Sequence, residues 1–263
     1  MHNQRWRERR DRYRPAGETI RTSAYEVAQI DSDRLAKAFI LRHHYSGTYP
    51  AARFRYGLFS DVGKLVGVAV FSVPCSDQVL TGTFRGIEAG EATELGRFVL
   101  LDSVPGNGET WFLGRCFELL RRESIAGVVS FSDPVPRMTS IGAVVFPGHV
   151  GTIYQAHNGV YLGRATPRTL RMLPDGSVLS ARAISKLRTR TKGWRYTADV
   201  LIGYGAPRPS RDLAAWASLW IPRLTKPLRH HGNHKYAWGL DRPCRRILPA
   251  SLPYPKHQIP AHA

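Results

Sequence analysis

Between Asp31 and Leu41 the apolar residues Leu35, Ala38, Phe39 and Leu41 recur at helical spacing. Asp31 or Ser32 can cap that helix, which is expected to end in the polar stretch RHHYSGTYP. RFRYGLFSDVGKLVGVAVFSV then gives two strand-like runs around Asp61-Val62-Gly63-Lys64, a hairpin pattern, and ATELGRFVLLD gives a third strand. After it, LLDSVPGNGETWFLGRCFELL passes from an apolar strand end through a Gly-x-Gly turn into Trp111, Phe112, Cys116, Phe117, Leu119 and Leu120. That spacing predicts an amphipathic helix over 109–123. IAGVVSFSDP reads as a short buried strand, GHVGTIYQAHN as a short helix, GVYLGRA as a strand, and RTLRMLPDGSVLSARA as a hairpin around Pro174-Asp175-Gly176. Past about residue 192 the patterning weakens, with one helix at 210–221 and an extended end, SLPYPKHQIPAHA.

This order predicts an α/β (α+β) fold with a central mixed sheet flanked by helices. It divides the chain into an Arg-rich flexible arm, 1–17, a catalytic domain, 18–191, and a basic aromatic extension packed on it, 192–263. The extension is expected to be irregular.

Charge changes the picture. The 263 residues carry a formal net charge of +18, an excess that points to a polyanion, with nucleic acid first. The arm holds six arginines between Arg5 and Arg14 with Trp6 and Tyr13 interleaved; it reads as a nucleic-acid tether or as a solubilising tail. No apolar run suits a bilayer span and the first residues lack a signal-peptide core, so the expectation is a soluble, intracellular protein without a membrane partner. Cys75, Cys116 and Cys244 lie too far apart for a thiolate metal motif, and Cys116 reads as core.

Five places carry candidate chemistry. Ser103, Gly106, Asn107 and Gly108 open a helix, where glycines either expose N–H groups to a phosphate or serve only a tight turn. Asp133 ends a buried strand, where open sheets bind ligands, as a base or orienter, or as a turn-forming Asp-Pro pair. His43, His44, Tyr45, Ser46 and Tyr49 follow a helix end, as caps, as a base-binding loop or as a metal site. His230, His231 and His234 with Lys235, Tyr236 and Trp238 mix charge and aromatics in a way that suits phosphate tracking and base stacking, or a zinc site. Arg97 lies among Leu95, Phe98 and Val99, so it needs Glu94, Asp133 or an anionic donor as partner.

HHYSGTYP, ELGRFVLLD, SFSDP, GHVGTIYQAHNGVYLG and GNHKYAWGLD, in that order and spread over residues 33 to 256, resemble the Mom-type DNA-modification proteins of bacteriophages, which are similar in fold to GNAT acyltransferases. The resemblance implies modification of adenine N6 in double-stranded DNA to a methylcarbamoyl adenine that blocks restriction endonucleases, in the cytoplasm of the host bacterium. It implies functional roles for Arg97, Asp133 and Tyr154, a small acyl or carbamoyl donor of acyl-coenzyme A type, and a link to iron. The glycine loop keeps both glycines of the GNAT pattern but begins with Ser103, and Asp133 and Tyr154 are 21 positions apart, a longer interval than the compact family pattern. Rival expectations are an ordinary acyl-coenzyme A acyltransferase and a phage DNA-binding protein without catalysis. The oligomeric state stays open, a dimer included.

Overall fold

A computed structural model describes residues 2–15 and 17–256. The last seven residues of the expected extended tail lie outside the described residues. In chain order the elements begin with β1 (His2–Arg7), β2 (Arg10–Pro15), β3 (Tyr25–Gln29), α1 (Asp33–His43), β4 (Ala52–Ser60), β5 (Leu65–Ser72) and α2 (Gln78–Thr81). They continue with β6 (Ala92–Leu100), α3 (Gly108–Arg122), β7 (Gly127–Ser132), β8 (Arg137–Met138), β9 (Val144–Phe146), α4 (Thr152–Ala156) and β10 (Val160–Arg164). The rest are β11 (Arg168–Met172), β12 (Val178–Leu179), α5 (Ala181–Arg188), α6 (Trp194–Gly203), α7 (Leu213–Leu224), β13 (Lys226–His230), β14 (His234–Gly239) and α8 (Arg242–Ile247).

The chain divides into two units, and the division is not the linear one expected from sequence. Unit 1 takes residues 1–134, 149–164 and 233–263; unit 2 takes 135–148 and 165–232. Unit 1 contains a seven-stranded sheet in the order β10-β14-β7-β6-β5-β4-β3. All its neighbours are antiparallel except β6 and β7. The fold class is thus the expected one, a mixed sheet flanked by helices.

The expected local patterns recur in unit 1. Gly63 turns the β4–β5 hairpin at φ +72, a value that favours glycine. Helix α3 buries Phe112, Leu113, Cys116, Phe117 and Leu120 into the sheet's core, a single stripe set by the 3.6-residue period. Burial pushes the Cys116 thiol well above its usual range, in keeping with the core reading.

The N-terminal segment departs from expectation. Instead of an arm, residues 2–15 pair as β1 and β2, turned by Glu8 and Arg9 at φ +49 and +66. Trp6 is buried, and Arg5 is 3% exposed. The extension is not irregular either: β14 is an internal strand of the sheet.

Unit 2 has a three-stranded sheet, β12-β11-β13, and its own core of Leu173, Leu179, Leu187, Leu201, Trp216 and Ile221 among others. Gly176, at φ +80, turns the expected β11–β12 hairpin. The expected helix at 210–221 is α7, capped by Asp212, whose side chain accepts the Ala215 N–H.

Candidate active site

Strands β6 and β7 run parallel and stay paired from Ala92↔Gly127 to Leu95↔Ser130. Beyond that pair they continue without bonding each other, β6 to Leu100 and β7 to Ser132. A bulge bends β6 at the same place: Val70 pairs with Arg97 and Phe71 with Leu95, leaving Gly96 extra. A Cβ on Gly96 would lie 2.4 Å from Ser72 Oγ, so a side chain there would have to displace Ser72.

The opening leads to a cavity of about 60 Å³, lined from the strands by Gly96, Phe98 and Phe131. His44 and Tyr45 line it from the loop after α1, His149 and Tyr154 from the approach to α4 and α4 itself, and Gln4, Arg5 and Trp6 from β1. At this volume it holds a few water molecules and no nucleobase.

Tyr154 belongs to α4, whose preceding Gly151 adopts φ +78; a Cβ there would lie 2.8 Å from the Tyr154 ring and 2.9 Å from Tyr236. The Tyr154 ring sits 5.5 Å from Tyr236 and 5.7 Å from Trp238. Ser130 stands beside its phenol, while the Ser130 hydroxyl donates to Leu95 O at 2.9 Å. Burial raises the Tyr154 pKa and outweighs the lowering by Ser130, which keeps the phenol protonated.

His44 is buried. Its Nδ1 accepts the Ser46 backbone N–H at 3.1 Å, and since that group can only donate, the neutral ring carries its hydrogen on Nε2. Burial first, then the Arg97 charge, holds His44 well below its ordinary pKa, so it is neutral at pH 7. Beside it Tyr45 OH and His149 Nε2 are 3.1 Å apart.

Arg97 spends its donors on neither Glu94 nor an exposed anion: Nε donates to Thr48 O at 2.9 Å and Nη2 to Thr48 Oγ1 at 2.7 Å. It braces the His44–Tyr49 loop against β6. Burial lowers its pKa while Tyr45, Glu94 and Tyr154 oppose that shift. Burial likewise raises the Glu94 carboxyl.

The long interval between Asp133 and Tyr154 has a plain cause. Residues 135–148 belong to unit 2, and the chain re-enters unit 1 at His149, whose N–H donates to Asp133 O at 2.8 Å. Asp133 is buried but is not among the residues lining the cavity.

Other expected residues are used structurally. His43 packs its ring 4.7 Å from Phe39, and Tyr49 OH donates to Asp33 at 2.9 Å. His234 is 3% exposed with Nδ1 2.7 Å from Tyr161 OH, and burial pushes its pKa down to about 4. Tyr236 is fully buried and donates to Val150 O at 2.6 Å; Lys235 is half-buried, which lowers its pKa. His234, Lys235 and Tyr236 therefore form an internal strand rather than a base-stacking surface. No group of three or more His, Cys, Asp or Glu side chains suited to a metal occurs among the described residues, which leaves iron and zinc without support.

The glycine loop is engaged by the chain itself. Gly106 N–H donates to the Glu18 carboxylate at 2.6 Å, Gly108 N–H to Pro105 O at 2.9 Å, and Asn107 Oδ1 accepts the Ile20 N–H at 2.7 Å. Arg5 pairs with Glu109 at 2.5 Å in full burial and also donates to Leu101 O, Val104 O and Pro105 O. At Gly108 a Cβ would meet Val104 Cγ1 at 2.4 Å. Gly108 is a packing glycine. With Glu18 on it, the Gly106 N–H is closed to a coenzyme A pyrophosphate in this conformation.

Sequence reading names Arg5 and Trp6 only as parts of the arm and holds Glu109 and His149 only inside longer quoted stretches, while Glu18 is not named; none of the five signals a site until the hairpin folds.

A search of curated protein sequences returns no match. Among solved structures, the chain is similar to a spermidine N-acetyltransferase SpeG variant from Vibrio cholerae, with 9% identity over 55% of this chain and 84% of that one, TM-score 0.35. It is also similar to the GNAT family N-acetyltransferase YhbS from Escherichia coli in complex with CoA, with 14% identity over 46% and 68%, TM-score 0.29. The model of the Mom protein family matches residues 24–203, more than half of the chain and spanning β6, the glycine turn, α3, β7 and α4, and the chain belongs to that family.

Proposed function

We propose that this protein transfers an acyl or carbamoyl-type group to the exocyclic N6 of adenine in double-stranded DNA. The observation that carries the reading is the cavity where β6 and β7 part, with a protonated tyrosine and a neutral histidine on its walls. Family membership and the charge of +18 support the choice of substrate.

Adenine N6 is a weak nucleophile because its lone pair is delocalised into the ring, so the protein must orient it and support charge as it attacks. His44 offers an Nε2 hydrogen to the oxygen that becomes negative at the acyl carbon. The Tyr45–His149 pair takes the proton that N6 loses, and Tyr154 gives one to the departing group. Asp133 positions His149 through its main-chain carbonyl. Arg97 keeps His44 and Tyr45 in place through Thr48, and its charge adds to burial in holding His44 neutral. N6 is engaged in the base pair, so the adenine must leave the stack, and the β1 wall of Gln4, Arg5 and Trp6 must move to admit it. No step is assigned to coenzyme A, because the glycine loop is engaged by the chain.

The test is mass analysis of nucleosides from bacterial cells expressing the chain. A new adenine nucleoside heavier by an acyl or carbamoyl group is expected; unmodified adenine beside a folded, abundant protein would overturn the reading.

A further inference from the structure

Unit 2 holds fourteen lysines and arginines against three acidic residues. The excess is concentrated at one corner. From Ala181 to Tyr196, through α5, its turn and the start of α6, there are six cations and no acid. None of the six takes part in an ion pair among the described residues. Arg188, Arg190, Lys192 and Arg195 are all exposed.

Two features show that these charges are not merely a solvated face. The α5 terminus is closed by a Schellman pair of bonds, Thr191 N–H to Lys186 O at 3.1 Å and Arg190 N–H to Leu187 O at 3.4 Å. The left-handed residue of that motif is ordinarily glycine; here it is Arg190 at φ +56. A cation thus stands where a glycine would fold with less strain. Next to it, Trp194 has the Arg190 and Arg195 guanidinium carbons 5.7 and 5.6 Å from its ring, and Tyr196 is 73% exposed. Mutually repelling cations gathered beside Trp194 are stabilised by a polyanion with closely spaced charges.

We infer that the α5–α6 corner of unit 2 is a docking surface for the phosphate backbone of duplex DNA. The inference rests on the reading above that the substrate is DNA. Phosphate contacts fix position and carry no sequence information, so the corner would supply affinity and leave base recognition elsewhere.

The test is fluorescence anisotropy with a labelled mixed-sequence duplex over a salt series, on the full chain. Arg190→Gly should melt at the same or a higher temperature yet bind about eightfold more weakly near 0.1 M salt, since each lost contact removes about 0.9 from the slope of log affinity against log salt. Arg188→Gln with Lys192→Gln and Arg195→Gln should lower affinity more than a hundredfold by the same arithmetic. Arg121→Gln with Arg122→Gln, exposed on α3, is the control and should keep the slope. Wild-type binding by the triple variant, equal loss per charge in the control, or tighter binding of single-stranded RNA by the wild type would each overturn the inference. Nucleoside analysis separates the two readings: modified adenine with an indifferent triple variant sinks the docking surface alone. Duplex binding lost in the triple variant, with no modified adenine from the wild type, sinks the activity alone.

Discussion

The Glu18 carboxylate accepts the Gly106 N–H at 2.6 Å, so an anion from the chain itself lies against the turn that opens α3. Arg14 holds it there through an ion pair at 2.5 Å. The Arg14 hydrogen bond, with the Gly106 N–H adding to it, keeps the Glu18 pKa below its usual range despite opposing burial.

If this loop serves an anionic donor, Glu18 must leave first. Glu18→Ala should then raise affinity for acetyl-coenzyme A, measured by calorimetry on the purified chain, and Glu18→Gln should do so less. Equal, undetectable binding by all three proteins would mean that the loop is structural and the donor has no phosphate there.

Arg5→Ala should destabilise the protein by about 3–5 kcal/mol, because it leaves Glu109 buried and uncompensated. Arg5→Ala with Glu109→Ala should cost less than Arg5→Ala alone. Denaturant melts of Arg5→Ala, Glu109→Ala and the double variant form the cycle, and additive losses would show that the pair is not coupled.

Gly108→Val should lower stability by about 1–3 kcal/mol through overpacking against Val104, and modification and DNA affinity should fall with it. Val104→Ala should restore part of the loss. A Gly108→Val protein with wild-type melting but no modified adenine would return Gly108 to donor binding.

Tyr154→Phe keeps the ring contacts with Tyr236 and Trp238 and removes only the hydroxyl. Modified adenine should disappear while the melting temperature shifts little, because Ser130 keeps its bond to Leu95 O. Unchanged modification would remove Tyr154 from the chemistry.

His234 should make the fold acid-sensitive in a defined window. Its folded pKa, about 4 against an ordinary 6.5, means that the unfolded chain binds the proton first as pH falls. Stability is therefore lost between about pH 6.5 and 4, by about 3 kcal/mol in full. His234→Gln should flatten that part of the stability–pH curve, and an unaltered slope would show that another group sets it.

How much of this was legible depended on whether a segment carried its own signal. The Gly63 turn, the α3 stripe and the Gly176 turn announce themselves locally, and all three elements form as read. The β1–β2 hairpin does not: its turn residues are Glu8 and Arg9 rather than Asn-Gly, and its strands are charged. Its fold depends on Arg5 finding Glu109, 104 residues away. The same holds for His234 to Tyr236, whose polar composition suggests a surface while pairing on both sides makes them interior. At the site, Tyr154 and the His44–Tyr45 loop were legible as candidates, and Asp133 is tied to His149 by its carbonyl, a main-chain contact that no side-chain pattern announces.

Strand β14 lies between β10 and β7, yet it is the last strand among the described residues. During synthesis both partners emerge first and must wait with unmet edges until Gly239 has left the ribosome. Tyr154, which leans on Tyr236 and Trp238, has no settled position before then. The order of translation thus withholds a finished pocket from the nascent chain until the strand that fills the gap between β10 and β7 has been made.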